Sequence, residues 1–175
     1  GLEAAVPALD ILIDAAGDLG VEEVVIGMAH RGRLNILANI MQKPAQNIFT
    51  EFDGKDYADV SDSFDGDVKY HLGYNSVKNT PSGKKVNLNL APNPSHLETV
   101  GAVIEGVTRA KQDKYHADNF SKVLPISLHG DAAVAGQGIV YEIVQMSKLR
   151  AYQTAGTIHI VLNNQVGFTT SNKDA

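Results

Sequence analysis

Three observations predict an α/β domain built on a largely parallel sheet with flanking helices. Short runs rich in Val and Ile alternate with longer stretches whose apolar residues recur at helical spacing. Each of four runs ends at a polar cluster: His30-Arg31, Ser95-His96, Gly130-Asp131 and Asn163-Asn164. Strand, helix and strand in that order imply right-handed crossovers, which make the strands parallel and bring their carboxyl ends to one edge. Ligands gather at that edge in such sheets, so the four clusters converge there.

From Leu2 to Leu19, Val6, Leu9, Ile13 and Ala16 fall on one helical face, with Pro7 tolerable only near the helix start and Gly20 ending it. Glu23 to Met28 reads as a buried strand, followed by a turn at His30-Arg31-Gly32 and a helix around Leu34 to Met41. Pro44 opens a short helix carrying Ile48 and Phe52. Residues 53–85, rich in Asp, Gly, Ser and Asn, are expected to be irregular and the least ordered part of the chain. Val86 to Ala91 alternates as a strand, and Pro94-Ser95 then opens a helix over roughly His96 to Tyr115. Ser95 as N-cap with Glu98 three residues on has the form of a capping box. Lys122 to His129 is the next strand, Ala133 to Tyr152 one long helix, and Thr157 to Leu162 the last strand.

With 175 residues, 43% hydrophobic and 20% charged, the chain fits one domain with one core. A formal net charge of −5 and scattered Lys and Arg give no basic stripe, so nucleic acid is not an expected partner. No run approaches the ~20 apolar residues of a membrane helix, and no membrane association is expected. Zero cysteines exclude disulfides, thiolate metal sites and cysteine catalysis, and sit comfortably with a reducing compartment. Both ends look cut: Gly1 runs straight into a helical pattern, and Ala175 lies just beyond the last polar cluster.

The strongest chemical pattern is Gly130-Asp131-Ala132 at one strand end matched by Asn163-Asn164-Gln165-Val166 at the next. An aspartate, an amide oxygen and a free backbone carbonyl are hard oxygen ligands, suited to magnesium that shares its shell with phosphate oxygens. Unpaired amides at the start of the following helix favour an anion in the same place. The implied ligand is a metal-bound diphosphate. Asp131 could instead cap that helix, and the two asparagines could be turn residues.

Other residues invite sharper readings than they support. Gly136-Gln137-Gly138 lies within the expected helix and lacks the third glycine of a dinucleotide fingerprint, so small residues packing closely on the sheet explain it better. His30, His71, His96, His116, His129 and His159 show none of the short spacings of zinc sites. His116 reads as solvated, and His159 as a core or face residue of its strand. No Gly-x-Ser-x-Gly elbow is present for a serine hydrolase.

The order Gly-Asp-Ala, helix, Asn-Asn resembles the diphosphate motif of thiamine-diphosphate enzymes, which usually begins Gly-Asp-Gly; Ala132 departs from that form. The strings GMAHRGRLN from Gly27, DVKYHLG from Asp67, NPSHLE from Asn93, HGDAAVAGQG from His129 and NNQVGFTT from Asn163 resemble a narrower family. It is the decarboxylating, thiamine-dependent subunit of the 2-oxoglutarate dehydrogenase complex, in which Gly-Asp-Ala is the usual form. The resemblance implies a transketolase-like thiamine-diphosphate fold, truncated, with residues 1–175 forming one partial diphosphate-binding domain of a longer enzyme. It implies thiamine diphosphate and Mg2+ as cofactors, with Asp131, the Asn164 side chain and the Val166 carbonyl as metal ligands. Ser95, Leu97, Gly130, Asp131, Ala132, Asn164 and Val166 would bind the cofactor, while His30 and His71 would hold the distal carboxylate of 2-oxoglutarate.

The same resemblance implies entry of the decarboxylated succinyl group into the tricarboxylic acid cycle by way of a lipoyl-bearing succinyltransferase subunit, and a homodimer in the full-length enzyme. The glutamate that activates the aminopyrimidine lies on another domain in that family, so the 175 residues alone are expected to be inactive. Location would be the cytoplasm of a bacterium, which is favoured, or the mitochondrial matrix of a eukaryote. A 2-oxoadipate dehydrogenase subunit is the nearest rival, because one methylene is worth only ~1–3 kcal/mol in a pocket. A non-catalytic module of the same fold is the second. A dinucleotide-binding oxidoreductase would need the missing glycine fingerprint.

Overall fold

A computed structural model describes residues 2–52, 71–117, 119–165, 170–171 and 173–174. Helix α1 (Ala5–Asp18) precedes β1 (Glu23–Met28), α2 (Arg33–Asn39) and α3 (Ala45–Phe52). Strands β2 (Tyr74–Asn79) and β3 (Lys85–Leu90) lead to α4 (Thr99–Tyr115), β4 (Val123–Gly130), α5 (Asp131–Gly136), α6 (Gly138–Met146) and β5 (Ile158–Leu162). The sheet order is β2-β3-β1-β4-β5, with β1 at its centre. β3, β1, β4 and β5 are parallel, as the alternation of strands and helices requires, and β2 alone is antiparallel to its neighbour.

Helices cover both faces because β1 is apolar on both. Val24, Ile26 and Met28 pack with Leu9 and Ile13 of α1 and with Ile36 and Leu37 of α2. Val25 turns the other way, against Val100 and Ile104 of α4. Fully burying each such side chain contributes roughly 1.5–3 kcal/mol, so this centre dominates the stability of the fold. Gly27 sits where α4 presses closest: a Cβ there would lie 2.9 Å from Ile104 Cγ2.

Several expectations need correction. The irregular stretch expected over 53–85 is interrupted by β2, whose polar, alternating residues make an edge strand by pairing Tyr74 with Leu90 through Asn79 with Lys85; residues 53–70 lie outside the described residues. The single helix expected over 133–152 is two helices, because Gln137 leaves helical geometry at φ −94° and ψ 116°. Gly136 and Gly138 flank that break, and a Cβ at either would meet nothing within 4 Å, so they serve the break and not close packing. Finally, α4 begins at Thr99, and Glu98 is its N-cap in a left-handed conformation (φ 69°) with no side-chain cap bond. The capping box of Ser95 and Glu98 is therefore not formed. The Glu98 carboxylate is drawn inward instead.

Candidate functional site

The parallel register assembles the site. Pairing of Gly130 with Leu162 sends Asp131 and Asn163-Asn164 out of the sheet side by side. Asp131 is the first residue of α5, and among the described residues its carboxylate caps no backbone amide. Its Oδ2 is buried without a hydrogen-bond partner. A buried carboxylate oxygen left so is costly, which disfavours the capping alternative and leaves the atom available to a ligand.

The two asparagines divide their work. Asn163 Oδ1 accepts the Gln165 backbone N–H at 2.8 Å, which makes Asn163 the turn residue. The Asn164 amide lies between two elements: with its nitrogen toward Asp131 it would donate to Oδ1 at 3.1 Å and its oxygen would accept from Arg31 Nη1 at 2.9 Å. With its oxygen toward Asp131 instead, the same amide sets an oxygen beside Oδ1, which is tolerable only with a cation between them. Arg31, Asp131 and Asn164 thus meet from the ends of β1, β4 and β5. Val166 lies outside the described residues.

Ser95 and Leu97 fall in the exposed connection from β3 to α4, at the same edge of the sheet. Gly130 caps α5 in extended geometry, and Ala132 is exposed in its first turn. The hard oxygen donors and the orphaned Asp131 Oδ2 fit a magnesium ion, although among the described residues no cluster of three His, Cys, Asp or Glu could hold a metal.

On the other side of β1, His30 is exposed after the strand end and His71 is buried just before β2. His71 O accepts the Asn93 N–H at 2.9 Å, tying this segment to the end of β3. Arg33, fully buried, reaches the same place from α2. Burial pulls its guanidinium down to about 10, so it stays charged at neutral pH.

Behind the edge lies a chain of groups the sequence did not announce. His129 Nδ1 contacts Glu98 Oε2 at 2.5 Å, and His129 Nε2 contacts His159 Nδ1 at 2.8 Å. The two rings stack with centroids 5.0 Å apart. His159, at the rim, is held below its ordinary pKa by partial burial and then by His129. It opens onto a concavity of about 820 Å³ between α4, α6 and the 147–157 connection, lined by Glu105, Arg109, Ser147 and Tyr152 among others. Thr154 and Thr157 hydroxyls both donate to Glu105 there. These contacts join residues 30 to 52 positions apart, which no local spacing reveals.

Sequence comparison agrees with this architecture. The family described as dehydrogenase E1 component matches residues 1–175. The chain is 55% identical over 172 residues to the 2-oxoglutarate dehydrogenase E1 component of Azotobacter vinelandii, covering 98% of this chain and 18% of that protein. It is 52% identical over 174 residues to the mitochondrial 2-oxoglutarate dehydrogenase of Saccharomyces cerevisiae, covering 97% and 17%. The multifunctional 2-oxoglutarate metabolism enzyme of Mycolicibacterium vanbaalenii is 50% identical over 179 residues, covering 100% and 14%. The chain thus spans less than a fifth of the length of these relatives. With strand-end chemistry, fold and a match over every residue in agreement, this chain belongs to the dehydrogenase E1 component family.

Proposed function

We propose that this chain is the diphosphate-binding part, one partial domain, of a 2-oxoglutarate dehydrogenase, the activity named for its relatives in bacteria and mitochondria. The E1 dehydrogenase family depends on thiamine diphosphate. When bound, that cofactor supplies the carbanion that adds to a 2-oxo carbon and the electron sink for loss of carbon dioxide. The observation that carries the reading is the unpartnered Oδ2 of Asp131 beside the Asn164 amide.

Asp131 would ligate Mg2+ through its carboxylate, Asn164 through its amide oxygen and Val166 through its carbonyl. Coordination by Asn164 uses the orientation in which its amide oxygen faces Asp131, which leaves Arg31 to meet a phosphate oxygen. Gly130, Ala132, Ser95 and Leu97 would border the diphosphate and ring. His30 and His71, across β1, would hold the distal carboxylate of 2-oxoglutarate and select it over monocarboxylic acids. The succinyl product would pass to a lipoyl-bearing subunit, and the complete enzyme would work as a homodimer in a bacterial cytoplasm or a mitochondrial matrix.

The test is a calorimetric titration of the full-length enzyme with thiamine diphosphate and magnesium. Asp131→Ala is expected to abolish magnesium-dependent binding with the fold intact by circular dichroism. Cofactor affinity equal to that of the unsubstituted enzyme removes the metal assignment.

A further inference from the structure

Arg33 has no acidic partner among the described residues, yet it is completely buried. Among the described residues its fork closes on backbone carbonyls: Nη1 donates to Met28 O at 3.2 Å, and Nη2 to Ala91 O at 2.6 Å and Leu72 O at 2.9 Å, with His71 O a weaker, shared contact at 3.4 Å. Met28 ends β1, Ala91 follows the end of β3, and His71-Leu72 lead into β2. One side chain therefore fastens the start of an antiparallel edge strand to the ends of two parallel strands.

A buried cation costs several kcal/mol of desolvation, which carbonyl dipoles offset only if they stay in place. Hydrophobic packing could join these segments with less penalty. What the guanidinium adds is direction: a planar fork fixes the relative placement of the carbonyls it bridges, where a lysine ammonium offers a single point. Gly73 completes the arrangement by letting the chain cross β3 closely, since a Cβ there would lie 2.8 Å from Leu90 O and 2.9 Å from Pro92 Cδ.

We propose that Arg33 is a positioning residue that sets where His71 stands at the ligand edge, and so tunes recognition of the substrate's distal carboxylate. This rests on the reading of His71 as a substrate-facing group. Among the described residues, Arg33 itself hydrogen-bonds only to backbone carbonyls.

The experiment compares kcat/KM for 2-oxoglutarate and for 2-oxovalerate, which has the same carbon count and no distal carboxylate, in the full-length holoenzyme. Arg33→Lys keeps the charge and loses the fork; Gly73→Ala keeps Arg33 and displaces the His71 segment; His71→Ala is the reference. Arg33→Lys is expected to lower kcat/KM for 2-oxoglutarate by about tenfold or more, chiefly through KM, with 2-oxovalerate and cofactor affinity close to the unsubstituted enzyme. Gly73→Ala should shift the ratio in the same direction, and decides the matter if Arg33→Lys does not fold. A discriminating His71→Ala beside folded Arg33→Lys and Gly73→Ala variants that treat both substrates alike overturns this inference alone. A His71→Ala enzyme that does not discriminate overturns the reading of His71 and this inference with it.

Discussion

Glu98 Oε2 and His129 Nδ1 stand 2.5 Å apart with both side chains almost wholly buried, and they join the start of α4 to the end of β4. The contact explains why Glu98 tolerates a left-handed backbone: the unusual φ of 69° turns its carboxylate inward and away from solvent. Removing the Glu98 carboxylate leaves the buried Nδ1 of His129 without a partner. Glu98→Ala is therefore expected to cost about 3 kcal/mol of stability, and Glu98→Gln less, because an amide oxygen still accepts from Nδ1. Glu98→Gly should lie roughly 1 kcal/mol above Glu98→Ala, since glycine adopts that backbone without strain. Urea unfolding of the three variants checks the order.

Gly27 lies in a string that carries the family resemblance, but its role in the fold is steric. Gly27→Ala would drive a Cβ to 2.9 Å from Ile104 and force α4 off the sheet. The expected loss is about 1–3 kcal/mol in thermal or urea unfolding, and Ile104→Val in the same chain should recover part of it by removing a methyl group at the contact.

His159 gives a pH signature with a definite sign. Its folded pKa is below the ordinary 6.5 of a free imidazole, from burial first and His129 second, while Glu105 and Glu98 oppose the shift. The unfolded chain then binds more protons than the folded one as pH falls through 6.5, so this group's contribution declines there and levels off below the folded pKa. His159→Gln should flatten that part of the profile. The difference in urea midpoint between variant and parent, taken from pH 8 to about 5, isolates it from the other histidines.

Asn163 and Asn164 should separate cleanly despite being adjacent. Asn163→Ala loses the turn contact to Gln165 and is expected to lower stability by about 1 kcal/mol with little change in cofactor affinity. Asn164→Ala should weaken magnesium-dependent cofactor binding, less severely than Asp131→Ala because a neutral ligand is lost. Calorimetry on both variants distinguishes the two positions.

The isolated 175-residue chain is expected to release no carbon dioxide from labelled 2-oxoglutarate and to self-associate. Helix α6 buries none of its residues, leaving Tyr141 and Val144 exposed, with Leu149 and Tyr152 exposed just beyond it. Exposed apolar residues of this kind favour association. Sedimentation velocity should show concentration-dependent association that the double variant Tyr141→Lys, Val144→Glu reduces.

The parallel core was legible because burial on both faces leaves a plain mark: Val24-Val25-Ile26 could only be an inner strand, and its ends follow from flanking polar residues. β2 was not, since an edge strand with one solvated side alternates Tyr, Ser and Lys with exposed Asn and Val, and such a pattern reads as loop until a partner fixes its register. Within the site, Asp131 and Asn164 stand out as polar residues abutting apolar strands. Arg31 stood out only as part of the His30-Arg31 cluster at a strand end and Arg33 not at all, because an arginine in a turn is ordinarily solvated and only the folded chain shows one beside Asn164 and the other fully enclosed. The Glu98, His129 and His159 chain likewise depends on the β4–β5 register and on the start of α4.

The turn after β1 sends Arg31 toward Asn164 on one side and Arg33 toward His71-Leu72 on the other, through a Gly32 held at φ 72°. In the proposed reading, two recognition tasks would share one joint at the middle of the sheet. A ligand that ordered this joint from the β5 side would lower the ordering cost left to a ligand arriving on the β2 side, and the effect would be equal in the other direction. Cofactor and substrate would then bind as thermodynamically coupled events, and the stiffness of three residues would set the size of that coupling.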